Sequence, residues 1–173
     1  MIPDIQILAQ KLTGLCEPSP APVQPPPVDA SGTPATAAVP PPAPVQITDY
    51  AAKGYHLDAT VGPGKVVAAA QILLEQGFGM DTITGVDWMA AGQMEVVYDY
   101  FHPLTNLHVV VRSRIPRATP VIPTISKVFP GANWHERETH DFFGIEFEGH
   151  PDLSPFLLPE DATYHPLRKD YQP

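Results

Sequence analysis

Only one cysteine, Cys16, occurs in this chain of 173 residues, so no internal disulfide can form. A lone thiol also excludes a four-thiolate iron–sulfur or zinc site and the paired CxxC ligation of a nickel–iron centre. Aromatic residues are sparse at 9%, and cations are outnumbered, 10 Lys and Arg against 19 Asp and Glu, for a formal charge of -9. The few cations include Arg112, Arg114, Arg117, Arg168 and Lys169, scattered without a basic stripe, which argues against a nucleic-acid partner. Nowhere does an apolar run approach the roughly 20 residues of a bilayer span. The stretch from Met1 to Leu15 is interrupted by Asp4, Gln6, Gln10 and Lys11, unlike the apolar core of a signal peptide. The expectation is a soluble, cytoplasmic chain with any membrane association made through partners.

Proline, by contrast, is abundant at 23 residues, and its distribution divides the chain. In residues 1–16, Ile2, Ile5, Leu8, Leu12 and Leu15 recur at steps of three and four, the stripe of a short helix that must dock on its own domain or on a neighbour. Residues 17–46 are rich in Pro and Ala, with Pro25-Pro26-Pro27 and Pro40-Pro41-Pro42. So little apolar surface cannot offset the entropy of ordering, and an extended or disordered linker is expected. Its PxxP spacings leave open a proline-rich adaptor that binds an SH3-like groove.

A folded domain is expected over 50–143. Tyr55 to Val61 and Met80 to Trp88 have strand composition; between them Pro63 opens a helix with Val66, Ala70 and Leu73 on one stripe, and Gly77 ends it. Met94 to Phe101 and Asn106 to Ile115 alternate as a hairpin. If His102 to Thr105 form the loop, Glu95 faces Arg112, Val97 faces Val110 and Asp99 faces His108, while Met94, Val96, Tyr98 and Tyr100 share the core face with Leu107, Val109, Val111 and Ser113. A short helix is expected over Pro123 to Phe129. Asn133 with Glu136 has capping-box spacing for a helix from Trp134 to about Phe143, stopped by Gly144. On that helix Glu138 shares a face with Trp134 and Phe142, which is either core or interface. A carboxylate there needs a cation: Arg137, Arg112, Arg114 or one from another subunit. The fold class is therefore α+β, a small, mostly antiparallel sheet with helices packed on it.

Residues 144–173 carry Pro151, Pro155, Pro159, Pro166 and Pro173, too many for helix or interior strand, yet Phe147, Leu153, Phe156, Leu157, Leu158, Tyr164, Leu167 and Tyr171 are too apolar for free solution. An extended strap laid on a partner reconciles the two. Truncation after Gly144 is expected to leave a folded domain unable to assemble.

Enzyme motifs are weak. His135 and His140 are five positions apart, about 140° round a helix, so they cannot share a zincin metal. Gly62-Pro63-Gly64-Lys65 lacks the length of a Walker loop. His150, Asp152 and His165 leave open a stand-alone metal-dependent enzyme, although nothing in an extended tail holds them convergent. Between Glu136 and Asp161 lie eight acids and one arginine, either a solvated face or a surface for a basic partner.

Glu136-Arg137-Glu138-x-x-Asp141-Phe142-Phe143-Gly144-Ile145, Phe147-x-Gly149-His150-Pro151-Asp152-Leu153, Leu158-Pro159-Glu160-Asp161 and His165-Pro166-Leu167-Arg168-Lys169-Asp170-Tyr171 closely resemble the 30 kDa subunit family of respiratory complex I, also called the C subunit of NADH-quinone oxidoreductase. Ile83-Thr84-Gly85-Val86-Asp87-Trp88 and Met94-Glu95-Val96-Val97-Tyr98 resemble its strands, so the likeness covers about residues 65 to 171. Ser154-Pro155-Phe156 and Ala162-Thr163-Tyr164 depart from the family's usual tail. Phe129-Pro130-Gly131-Ala132-Asn133-Trp134-His135-Glu136 resembles the branch found in membrane-bound energy-converting nickel–iron hydrogenases.

The resemblance implies a non-catalytic scaffold in a cytoplasmic peripheral arm, binding no cofactor itself. The iron–sulfur clusters and the nickel–iron or quinone site would reside in partners: a hydrogenase-like large subunit of the 49 kDa type and a small iron–sulfur subunit. It also implies that Glu136, Arg137, Glu138, Asp141, Phe142, Gly144, His150, Pro151, Asp152, Leu153, Leu158, Pro159, Glu160, Asp161, His165, Pro166, Leu167, Arg168, Lys169, Asp170 and Tyr171 form the subunit interface.

Overall fold

A computed structural model describes residues 3–16 and 44–172. The linker expected over 17–46 therefore lies outside the described residues except at its end, where Val45–Ile47 form strand β1. Helix α1 spans Ile5–Thr13; Asp4 caps it by accepting from the Gln6 N–H at 2.8 Å. Its stripe docks on the chain's own domain. Leu8 and Leu12 are buried in the core beside β1, the strand β2 (Leu57–Thr60) and the helix α3 (Val66–Glu75). A short helix α2, Tyr50–Lys53, joins β1 to β2.

The main sheet has five strands in the order β1-β2-β5-β4-β3, where β3 is Gly79–Trp88, β4 Gln93–His102 and β5 Leu107–Pro116. Only β2 and β5 run parallel, so the sheet is mostly antiparallel, as the α+β reading requires. Met94, Val96, Tyr98 and Tyr100 face the core with Val109, Val111 and Ile115.

The hairpin register differs from the expected one by two residues: Glu95 lies opposite Arg114, Val97 opposite Arg112 and Asp99 opposite Val110. The cause is the loop. His102 stays in the ladder opposite Leu107, and the turn is made by Pro103 to Asn106, with Asn106 at φ 56°. Asparagine tolerates this left-handed conformation better than most residues. A slip of two preserves every face, so Glu95 still sits among cations, 3.2 Å from Arg114 and 4.0 Å diagonally from Arg112.

After β5 the chain forms a short strand β6, Val121–Pro123, and then a turn where a helix was expected over 123–129. The helix is absent because its donors are engaged elsewhere. The Thr124 N–H donates to the Glu148 carbonyl at 3.0 Å, the Ile125 N–H to the Glu136 carboxylate at 2.8 Å and the Ser126 N–H to the Thr124 hydroxyl at 3.0 Å. Helix α4 spans Ala132–Phe143. Its N-cap is Gly131 with no side-chain cap, because Glu136 turns into the protein instead of back toward Asn133. Strand β7, Glu146–Glu148, pairs parallel with β6 and buries Phe147 against the core beside Ile122. Beyond Glu148 no helix or strand occurs among the described residues.

Helix α4 crosses β3 at a position fixed by Gly85. A Cβ there would lie 2.5 Å from the Phe143 ring, so the helix approaches the sheet only because residue 85 has no side chain.

Candidate partner-docking site

The buried side of α4 is lined by Ala132, Glu136 and Thr139, with Phe143 over Gly85. Of the two alternatives for the face of Glu138, the core is excluded: Glu138 is exposed, and Trp134 beside it is 55% exposed, because the small residues and not the large aromatics set the helix phase. Glu136 is the buried carboxylate. It accepts from Ile125 N–H and forms a short hydrogen bond with the Thr124 hydroxyl, while burial pushes its pKa up to about 7.

His150, its side chain fully buried, lies 3.7 Å from Glu136. Its Nδ1 accepts from the Asp152 N–H at 3.1 Å and Nε2 faces the Asn133 carbonyl at 3.3 Å, which defines a neutral ring protonated at Nε2. Burial holds its pKa below the usual value, and at 3.7 Å the Glu136 carboxyl is a neighbour outside hydrogen-bond distance.

At its C-terminus a helix leaves carbonyls without intrahelical partners. In α4 they are satisfied by the tail. Gly144, at φ 69°, returns its N–H to the His140 carbonyl at 2.7 Å. The Asp141 carbonyl accepts from His165 Nδ1 at 2.8 Å, Phe142 from the Leu167 N–H at 3.1 Å and Phe143 from Arg168 Nε at 2.7 Å. A guanidinium is also the charge that the negative end of the helix dipole favours. A Cβ at Gly144 would collide with His165 Nε2 at 2.5 Å and Arg168 Nη2 at 2.6 Å, so the absent side chain makes room for the cap.

The side chain of Asp141 gathers the tail from the opposite direction. One oxygen accepts from the backbone N–H groups of Phe156, Leu157 and Leu158 at 2.9, 2.7 and 3.2 Å. Burial opposes its charge, but the Leu157, Phe156 and Leu158 donors together hold its pKa below the usual carboxylate range. Arg137 donates to the Ser154 and Pro155 carbonyls at 3.1 Å each. Farther along, the buried Asp87 at the end of β3 forms a bidentate pair with Arg117 at 2.8 and 3.1 Å and accepts from the Lys169 N–H at 2.8 Å. Asp170 closes on Arg117 at 2.5 Å. Sequence reading missed Asp87 and Arg117 as tail anchors. Asp87 had a legible signal, since alternation from Ile83 and Gly85 puts this acid on the core side.

The strap therefore folds back on α4 and the end of the chain's own sheet, where a strap lying wholly on a partner was expected. Several of its backbone N–H groups, with His165 and Arg168, turn inward, and much of its apolar surface stays outside. Phe156, Leu157, Tyr164 and Leu167 are 40–53% exposed. Phe156 packs at 5.1 Å on Trp134 of α4, with Arg137 against both rings at 5.2 and 5.5 Å, and Tyr164 stacks on Tyr171 at 5.6 Å.

The remaining expected interface residues divide by position. Pro151, Asp152, Pro159, Glu160, Asp161 and Lys169 are exposed, whereas Phe142, Leu158 and Pro166 are half-buried. Leu153 packs against the core. Truncation after Gly144 would accordingly remove Ile145 and Phe147, both buried, so that cut damages the domain as well as the tail. His150 and His165 do not converge for metal chemistry: each is engaged by backbone, and among the described residues no three His, Cys, Asp or Glu side chains form a metal-binding group. No helix among the described residues is long and apolar enough to cross a membrane.

An α+β domain that staples a proline-rich ribbon to its last helix and turns apolar side chains outward has the construction of an assembly subunit. Residues 59–173 match the family described as respiratory-chain NADH dehydrogenase, 30 Kd subunit, and the chain belongs to that family. It is 40% identical over 95 residues to the C subunit of F(420)H(2) dehydrogenase from Methanosarcina mazei, covering 53% of this chain and 58% of that protein. It is 38% identical over 120 residues to the C subunit of NADH-quinone oxidoreductase from Roseiflexus castenholzii, covering 66% and 68%. The chain thus spans between about a third and two thirds of the length of the curated relatives it matches. Among solved structures it resembles a chain of the membrane-bound sulfane sulfur reductase, an archaeal respiratory membrane complex, with TM-score 0.62 and 33% identity, covering 67% of this chain and 71% of the other. A trypsin-resistant fragment of Nqo5 aligns with TM-score 0.55 and 27% identity over 64% of this chain and 89% of the fragment. Relatives of this chain are thus subunits of multi-subunit oxidoreductase complexes.

Proposed function

We propose that this chain is a non-catalytic scaffold in the peripheral arm of a complex I-type oxidoreductase, on the cytoplasmic side of the membrane, and that its α4–tail face docks on a hydrogenase-like large subunit of the 49 kDa type. The small iron–sulfur subunit would be a second neighbour. Clusters and the quinone or nickel–iron site would belong to those partners, and coupling to ion translocation to the complex as a whole. The observation that carries this reading is the exposure of Phe156, Leu157, Tyr164 and Leu167 on a ribbon that is hydrogen-bonded to the chain's own helix. Large apolar side chains left exposed on one segment are a mark of an association site. The relatives' names support a common scaffold: one is a part of F(420)H(2) dehydrogenase, another of NADH-quinone oxidoreductase, and a third of a sulfane sulfur reductase. Parts that choose the electron donor and acceptor would then lie outside this chain.

Co-purification from the native host, with the chain tagged, tests the reading. Leu157→Asp and Leu167→Asp should each reduce recovery of the large subunit at least about 10-fold, because each places a charge in a desolvated contact. Leu104→Asp, at the hairpin tip where Leu104 is 83% exposed, should leave recovery intact. Unchanged recovery with both tail variants would refute the docking face.

A further inference from the structure

A proline-punctuated ribbon with outward apolar groups would ordinarily be read as a segment that gains its shape only when the partner arrives. The hydrogen bonds of this ribbon say otherwise. Three consecutive backbone N–H groups at Phe156, Leu157 and Leu158 converge on one oxygen of Asp141, a charge-assisted cluster supplied by the chain's own helix. Ten residues later the direction of donation repeats: Leu167 N–H, Arg168 Nε and His165 Nδ1 fill the carbonyls that α4 leaves open, and Lys169 N–H reaches Asp87. Two arginines of the region also point inward, Arg137 onto the Ser154 and Pro155 carbonyls and Arg168 onto the Phe143 carbonyl. None of these bonds requires a second protein.

We propose that residues 154–170 and the C-terminal half of α4 are one folding unit in the isolated chain, so that the docking surface is preformed, with Asp141 as its positioning residue. The identity of what docks rests on the function proposed above; the preformed state does not. Holding the ribbon in place before association removes its ordering cost from the binding step, and the partner meets a fixed ridge of Phe156, Leu157, Tyr164 and Leu167. The occupant is the large subunit of the function proposed above, which meets these side chains already in place.

Amide hydrogen exchange on the purified full-length chain, without partners, tests this. In the wild type the amides of Phe156, Leu157, Leu158, Leu167 and Lys169 should exchange at least about 10-fold more slowly than in an unstructured peptide, the factor that one charge-assisted hydrogen bond provides. Asp141→Ala should return Phe156 to Leu158 to the unstructured rate while β4 and β5 remain protected. Leu157→Pro supplies a variant confined to the tail: it deletes the 2.7 Å donor without touching the domain, and Phe156 and Leu158 should lose protection in it as well. Wild-type tail amides exchanging at the unstructured rate would overturn the proposal, as would protection that survives both substitutions. A protected tail in a chain that fails to recover the large subunit would instead overturn the docking reading and leave this one standing.

Discussion

Replacing Glu136 by Gln should change how stability depends on pH more than it changes stability at any single acidic pH. The carboxyl has no exposed surface, and burial raises its pKa from 4.5 to about 7. A group that holds its proton more tightly when folded stabilises the fold fully below the unfolded-state pKa. That contribution is lost as pH rises through 4.5 to 7. The rise corresponds to about 3 kcal/mol across that window. The glutamine side chain would keep an acceptor for Ile125 N–H and an amide donor for the Thr124 hydroxyl, yet it cannot ionise. Other titratable groups around the site move differently. The hydroxyls of Tyr98 and Tyr100 on β4 are pushed upward, out of the window, and His150 is depressed, so its own contribution grows as pH rises past its value. Comparing wild type with Glu136→Gln cancels most of what they share. Urea unfolding of the isolated chain at about pH 5 and about pH 8 should show the wild type losing on the order of 3 kcal/mol relative to the variant between the two conditions. Parallel pH dependences in the two proteins would refute the buried-carboxylate argument.

Gly85→Ala should destabilise the domain by about 1–3 kcal/mol, since a methyl 2.5 Å from the Phe143 ring must displace either the ring or α4; an unchanged urea midpoint would reject the close approach. Truncation after Asp152 keeps Ile145, Phe147 and His150 and should give a cooperatively folding domain that does not recover the large subunit, whereas recovery of the complex by that shortened chain would count against the docking face.

Much of this molecule was legible where side-chain periodicity carries the information. The two long strands of the hairpin alternate so regularly that their core faces could be assigned from the residues alone, and a register error of two left those faces intact. The error arose at a backbone position: Asn106 adopts φ 56°, a choice that local hydrophobicity does not encode. Which side of helix α4 is core was not legible, for a different reason. Trp134 and Phe142 look like core markers, but the sheet below offers Gly85, and the helix seats Phe143 there while Ala132 and Thr139 fill the remaining contact. Glu136 has the spacing of a capping residue, whereas in the fold it is a buried acceptor for a turn. Least legible was the inner side of the tail. Arg168, His165 and Arg137 are bonded to main-chain carbonyls, and carbonyls have no sequence signature.

The capping of α4 also imposes an order on biosynthesis. The groups that complete the helix end are 24 and 25 residues farther along the chain, at His165 and Arg168. Until those residues have left the ribosome, the last carbonyls of α4 are left to water. A product released early, for instance at Asp161, would carry Phe156 and Leu157 but lack the latch that fixes the far side of the ridge.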